Sequence, residues 1–209
     1  MKKIICFTLL IANVAITTAQ DAKSVFSATE IVWYGLDFTK AKCVGGFDKV
    51  GGAGAATGSD MKSKWIPSWN SLIQNEQPKY DLKKTFRKDN VYYDISSLNE
   101  LNSKIDVDAC MVPNPGKIEK SDIEGMVKKY TGEKKEGVGL AFIVENFNKG
   151  SQMADVYVTF FDIASKKVLL CEKESGKAMG IGMRNYWAGA IKAILKQIDE
   201  GDYKNWKNK

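Results

Sequence analysis

The 209-residue sequence predicts a mixed α/β (or α+β) fold, on three observations. Runs of β-branched and aromatic residues take turns with runs whose apolar residues recur every three or four positions. Three extended runs crowd together toward the C-terminus, two of them joined by a short turn, as antiparallel neighbours are. A closing stripe of Trp187, Ile191, Ile194, Leu195 and Ile198 makes a helix able to dock on a sheet. The expected architecture is a two-layer mixed sheet of five to six strands with helices packed on one face. It forms one globular domain over residues 20–209, behind a leader over residues 1–19.

The leader is read from Lys2 and Lys3, the apolar run Ile4–Ile16, and small residues ahead of Gln20. This is the tripartite pattern of a secretory signal peptide, with cleavage expected between Ala19 and Gln20. The apolar run is too short to cross a bilayer, which takes about 20 helical residues, so no transmembrane segment is expected after cleavage. Export makes the protein periplasmic or outer-envelope associated. Cys6 sits near the start of the run, where no lipid-anchor cysteine belongs, and leaves with the leader.

Taking the elements in order, Gln20–Glu30 is polar and is expected to be loosely held. Residues 31–44 (IVWYGLDFTKAKCV) read as one long strand, with Val32, Tyr34, Leu36 and Phe38 on one parity. The glycine-rich stretch 45–60 holds no Lys at the place a phosphate-binding loop needs, so a surface loop suits it better. Asp60 can cap a helix carrying Met61, Trp65, Trp69, Leu72 and Ile73, which Pro67 kinks or restarts. Val91–Ile95 is a short strand, and Ser96 or Ser97 opens a short helix. Lys104–Met111 alternates like a strand and ends before Pro113 and Pro115. Ser121 and Glu124 form a capping box for a helix to about Tyr130. Strands then follow at 137–147, 154–163 and 167–173, the last two joined by Ala164–Lys166. The middle one is apolar on both parities and is expected to be covered on both faces.

The sequence contains no histidine, which removes His-based triads, His-ligated metals and the usual neutral-pH proton shuttle. Loss of Lys2 and Lys3 leaves 29 basic against 25 acidic residues, a net of +4, with the two signs interspersed. That is a solvated face rather than a phosphate-binding stripe, so nucleic acid is not an expected partner. Of the cysteines at 43, 110 and 171, no two have zinc or redox spacing. Cys171, within VLLC, reads as a core residue. Cys43 with Cys110 is the disulfide to test first, a choice by position alone. No cofactor or metal motif is present.

Three further constellations have chemistry within reach. Gly180, Gly182, Arg184 and Asn185 precede or open a helix and could bind an anion, or could serve only a tight turn. Asp106 and Asp108, two apart in an expected strand, would point to one face and could join Glu145 or Asp162 in metal or acid/base chemistry. Trp65 and Trp69 with Tyr80, Tyr92 and Tyr93 could form a glycan or peptide platform, or be core. Trp206, in a basic tail, reads as an interface residue.

The opening IVWYGLDFTKAKCVG and the distal block VYVTFFDIASKKVLLCEKESGKAMGIGMRNYWAGAIKAIL resemble small secreted proteins of Bacteroidetes-type bacteria. More loosely, the strand–hairpin–strand–glycine layout is similar to the N-terminal domain of the TolB translocation protein and to curli-export accessory lipoproteins. The resemblance implies a role in envelope assembly. The expected function is therefore that of a non-catalytic binding or envelope-assembly protein, its partner an envelope protein or a small anionic or glycan ligand. The alternative is a histidine-free, carboxylate-based hydrolase using Asp106, Asp108 or Glu145.

Overall fold

The computed structural model describes residues 18–49 and 54–208. Residues 1–17, which carry the charged and apolar parts of the expected leader and Cys6, lie outside the described residues.

Helix α1 (Thr18–Ser27) stands where a loose N-terminus is expected, and it crosses the predicted cleavage point. Val25 is fully buried, and Phe26 meets Tyr203 edge-on at 5.2 Å. The buried Lys88 donates to the carbonyls of Val25 at 2.5 Å and Ala28 at 2.7 Å. A cation on the last carbonyls of a helix satisfies acceptors that the helix itself cannot. A polar sequence is thus held by a partner 60 residues away.

The expected single strand over 31–44 is two strands, β1 (Glu30–Asp37) and β2 (Lys42–Val44). Strand β1 is itself irregular. The pairing register shifts between Trp33 and Gly35, where Gly35 takes φ +116°. A bulge flips the alternation, so Val32 and Tyr34 face one core while Leu36 and Phe38 face the other. Asn70 fixes the bulge: its Oδ1 accepts from Leu36 N at 2.6 Å and its Nδ2 donates to Leu36 O at 3.3 Å. Asn102 continues the clamp, taking Phe38 N at 2.8 Å and donating to Leu36 O at 2.8 Å.

Helix α2 (Gly58–Asp60), a π-helical turn (Met61–Trp65) and α3 (Ile66–Asn75) run on as one rod. Thr57 rather than Asp60 is the cap, and Asp60 supplies the return bond of the capping box. Pro67 lies in the first turn of α3, where its missing N–H costs least. Next come α4 (Leu82–Thr85), β3 (Asn90–Tyr93) and α5 (Ser96–Asn102). The strand expected at 104–111 is instead α6 (Val107–Cys110) followed by the two-residue β4 (Met111–Val112). Asp106 Oδ1 accepts from Asp108 N at 3.0 Å and Ala109 N at 3.3 Å. This local capping outcompetes the alternation. Helix α7 (Lys120–Val127) starts earlier than Ser121 implies, with Asp122 accepting from Glu119 N at 3.1 Å.

Strands β5 (Val138–Asn148), β6 (Met153–Asp162) and β7 (Val168–Lys177) are successive antiparallel neighbours. Helix α8 (Gly182–Gln197), a second π-helical turn (Ile198–Asp202) and α9 (Tyr203–Lys207) complete the fold. The fold is mixed α/β, and among the described residues seven strands form one sheet where five to six are expected. Strand β5, apolar on both parities, is its axis. One edge of β5 pairs in parallel first with β1 and then with β2, the other with β6 throughout. The bulge and the turn after Asp37 are what let the two short strands share that edge.

Helices α3 and α8 lie on one face, as expected, over a core in which Trp187 stacks between Phe147 at 4.5 Å and Phe47 at 5.3 Å. The opposite face is also covered, which corrects the two-layer expectation. Leu98 of α5 and Ile123, Met126 and Val127 of α7 pack there on Tyr34, Ala141, Ile143 and Phe161. Trp206 belongs to the first core, beside Tyr203, and is 5% exposed, so it is not an interface residue of this chain.

Candidate functional site

A cleft of about 910 Å³ lies between α7 and the outer edge of β7, with Ala22 of α1 at its border. Ile118, Ile123, Val168, Leu169 and Leu170 make its apolar wall. Lys117, Lys120, Lys128, Lys166 and Lys167 line it against Glu119 and Glu124. Helix α7 is placed by burying Ile123, Met126 and Val127 on the sheet, which leaves Lys120, Glu124 and Lys128 toward the cleft. Lys166, at φ +61° in the hairpin, is pushed down in pKa by burial and by Lys135.

Tyr157 and Cys171 form part of the lining, above a buried polar cluster centred on Glu145. Glu145 is 2% exposed. It accepts from Ile118 N at 2.9 Å, Tyr157 Oη at 3.2 Å and Asn146 Nδ2 at 3.2 Å, and it pairs with Lys173. Four donors on one carboxylate meet the cost of burying its charge. The pKa of Tyr157 is pushed up to about 12 by burial, with Glu145 adding to it. Burial also pushes up the Cys171 thiol, whose Sγ lies 3.5 Å from Thr159 Oγ1. The carboxylate is thus anchored by its donors, and the phenol and thiol are held in their protonated forms.

Comparison with known protein families, with curated proteins and with solved structures finds no match.

Of the sequence-predicted residues, Glu145 and Cys171 stand at this cleft and the others fall elsewhere. Asp106 caps α6, and Asp108 is exposed in its first turn. With Asp106 a helix cap and Asp108 in the helix, the premise that their side chains share a strand face does not hold. Among the described residues no group of three or more His, Cys, Asp or Glu side chains is arranged to hold a metal ion. Asp162 instead closes the hairpin, accepting from Ser165 N at 2.7 Å. The most deeply buried acid, Asp37, accepts from Tyr130 Oη at 2.6 Å and Thr39 N at 2.7 Å, its carboxyl pushed up by burial.

Gly180 and Gly182 precede the exposed Arg184 and Asn185, and backbone geometry accounts for both glycines. A Cβ on Gly180 would lie 2.8 Å from Asn185 O, and Gly182 takes φ +77°. Arg184 Nε reaches Asn185 Oδ1 at 3.4 Å, and the Arg184 carbonyl accepts from Trp69 Nε1 at 2.9 Å. The loop tip presents Met179, 70% exposed, and Ile181, 91% exposed, beside them. The aromatic platform is dispersed: Trp69 and Tyr80 are core, while Tyr92 lies on β3 beneath Lys134.

Cys43 and Cys110, on β2 and α6, are brought together as buried thiols with their sulfurs 3.5 Å apart. Cys110 is held down by its hydrogen bond with Cys43, and Cys43 is pushed up by the same bond and by burial. The cleft itself was not legible in the sequence, because nothing there sets Ile118 opposite Leu170. The usable signal was the pair Lys166-Lys167 directly before an apolar run.

Proposed function

We propose that this chain is an exported, non-catalytic binding or envelope-assembly protein that holds its partner in the cleft between α7 and β7. The observation that carries the reading is the cleft itself: an apolar wall, five lysines against two glutamates, and ionisable groups beneath that are anchored or neutral. Such a surface offers area and charge for recognition. The export part rests on the leader pattern, and the envelope part on the resemblance of the distal block to secreted and envelope-assembly proteins. Among the described residues no helix is long and apolar enough to cross a membrane.

The test is native mass spectrometry of protein recovered from its own envelope, comparing wild type with Lys120→Glu/Lys128→Glu. A ligand or chain retained by wild type and lost in the variant is the expected result. Equal retention by both would move binding away from the cleft. Turnover of simple ester, glycoside or phosphate substrates that disappears in Glu145→Gln would replace the binding reading with the hydrolase.

A further inference from the structure

The binding reading leaves open what the cleft takes, and the lining of β7 narrows it. Side chains of a strand alternate between faces, so a groove on one face of β7 would touch every second residue. This cleft touches the four consecutive strand residues Val168 to Cys171, of which Val168 and Cys171 pack toward one core and Leu169 and Leu170 toward the other. It therefore runs along the edge of the strand. Among the described residues β7 pairs with β6 alone, and Val168 to Cys171 are half-buried rather than capped by another strand. An open edge displays a row of backbone donors and acceptors that template an added strand. Here the row is walled by α7 on one side and bordered by α1 on the other, which leaves a slot instead of an open surface.

Resting on the proposed binding role of this cleft, we infer that the slot takes an extended acidic segment of a partner polypeptide, added as an eighth strand along Val168–Cys171. Charge selects the occupant. The lysines outnumber the glutamates five to two in the lining, which favours a strand carrying carboxylates. A second copy of this chain would bring the same lysine-rich rim to the contact, and like charges there oppose it. The bulge at Leu169, where the β6 pairing shifts between Phe160 and Phe161, twists the edge and shortens the run it can offer. The added pairing is accordingly short, about four residues or some 13 Å. Affinity comes from main-chain bonds together with carboxylates on Lys120 and Lys128, and the half-buried Leu169 and Leu170 supply apolar contact.

The probe is a fluorescent peptide, acetyl-Glu-Val-Glu-Ile-Glu-Val-Glu-amide, titrated into the full chain by anisotropy. Its companions are a copy with alternate backbone nitrogens methylated and a copy with Lys for Glu. The parent should bind, and amide exchange at Leu169 or Cys171 should slow on binding. Methylation should weaken it at least ~10-fold, since it deletes strand bonds and leaves charge and side chains. The Lys copy should fail. Equal binding of parent and methylated peptides would overturn strand addition while leaving the cleft a binding site. No binding of the parent, with a native ligand still lost in Lys120→Glu/Lys128→Glu, would overturn the peptide assignment alone. A native ligand retained by that variant would overturn the underlying binding reading.

Discussion

Replacing Lys88 with Met tests how the N-terminal helix is held. The substitution keeps the stem and removes the ammonium, which is 96% buried by its 4% exposure and donates to Val25 O and Ala28 O. Each hydrogen bond from a charged donor contributes about 1.5–3 kcal/mol. Against this stands desolvation, which lowers the lysine from 10.5 to about 8 and so opposes the charged form by about 3 kcal/mol. The wild-type anchor therefore nets little at neutral pH, but its loss leaves two carbonyls unpaired at about 1–3 kcal/mol each. A loss of about 2–4 kcal/mol is expected in urea unfolding, or faster amide exchange confined to residues 22–27 if α1 peels off alone. The pH dependence has a definite sign. Between pH 8 and 10.5 the folded lysine releases its proton before the unfolded one, so the unfolded chain holds more protons and stability rises with pH, by up to about 3 kcal/mol. The neutral amine keeps two N–H donors for its two carbonyls, so the anchor survives. Lys88→Met should flatten that rise. An unchanged midpoint, unchanged exchange in α1 and the same pH slope would refute the anchoring argument.

Other outcomes follow from the same packing. Gly35→Ala places a Cβ 2.9 Å from Asn70 Oδ1 at φ +116°, and should cost about 2–4 kcal/mol in urea unfolding. Asn102→Leu strands Phe38 N and Leu36 O in the core and should cost about 2–4 kcal/mol, readable as a lowered melting temperature. Mild oxidation should join Cys43 to Cys110 and leave Cys171 as the sole alkylatable thiol among the described residues by mass spectrometry. The closed loop between positions 67 apart should add about 4 kcal/mol of stability over the reduced protein. Glu145→Gln weakens the pairing with Lys173, and a fall in stability with no change in any turnover would match its role as an anchor.

Much of the architecture was visible in local pattern. The three C-terminal strands, the helix carrying Trp187 and the one carrying Trp69 appear close to where periodicity sets them, because long apolar repeats leave few alternatives. The failures share a cause. Residues 31–38 alternate as a strand should, yet Gly35 bulges and the two halves turn to opposite cores. Residues 104–111 also alternate, but Asp106 caps a short helix at lower cost than an exposed strand edge. The polar segment after Gln20 has no apolar repeat to betray a helix, and its anchor, Lys88, is distant in the chain. The proposed Cys43 and Cys110 pair is brought into contact across the fold, and Glu145 proves central to a buried hydrogen-bonded cluster.

The sequence by itself determined the class of fold, the helical or extended character of the longest segments, and the absence of histidine chemistry. Composition and period are local properties, which is why they can be read without coordinates. The tertiary structure decided which strand edge stays open and which lysines gather beside it. It also decided that a carboxylate with four donors is an anchor. These depend on pairs of residues far apart in the chain, and no single segment encodes its partner.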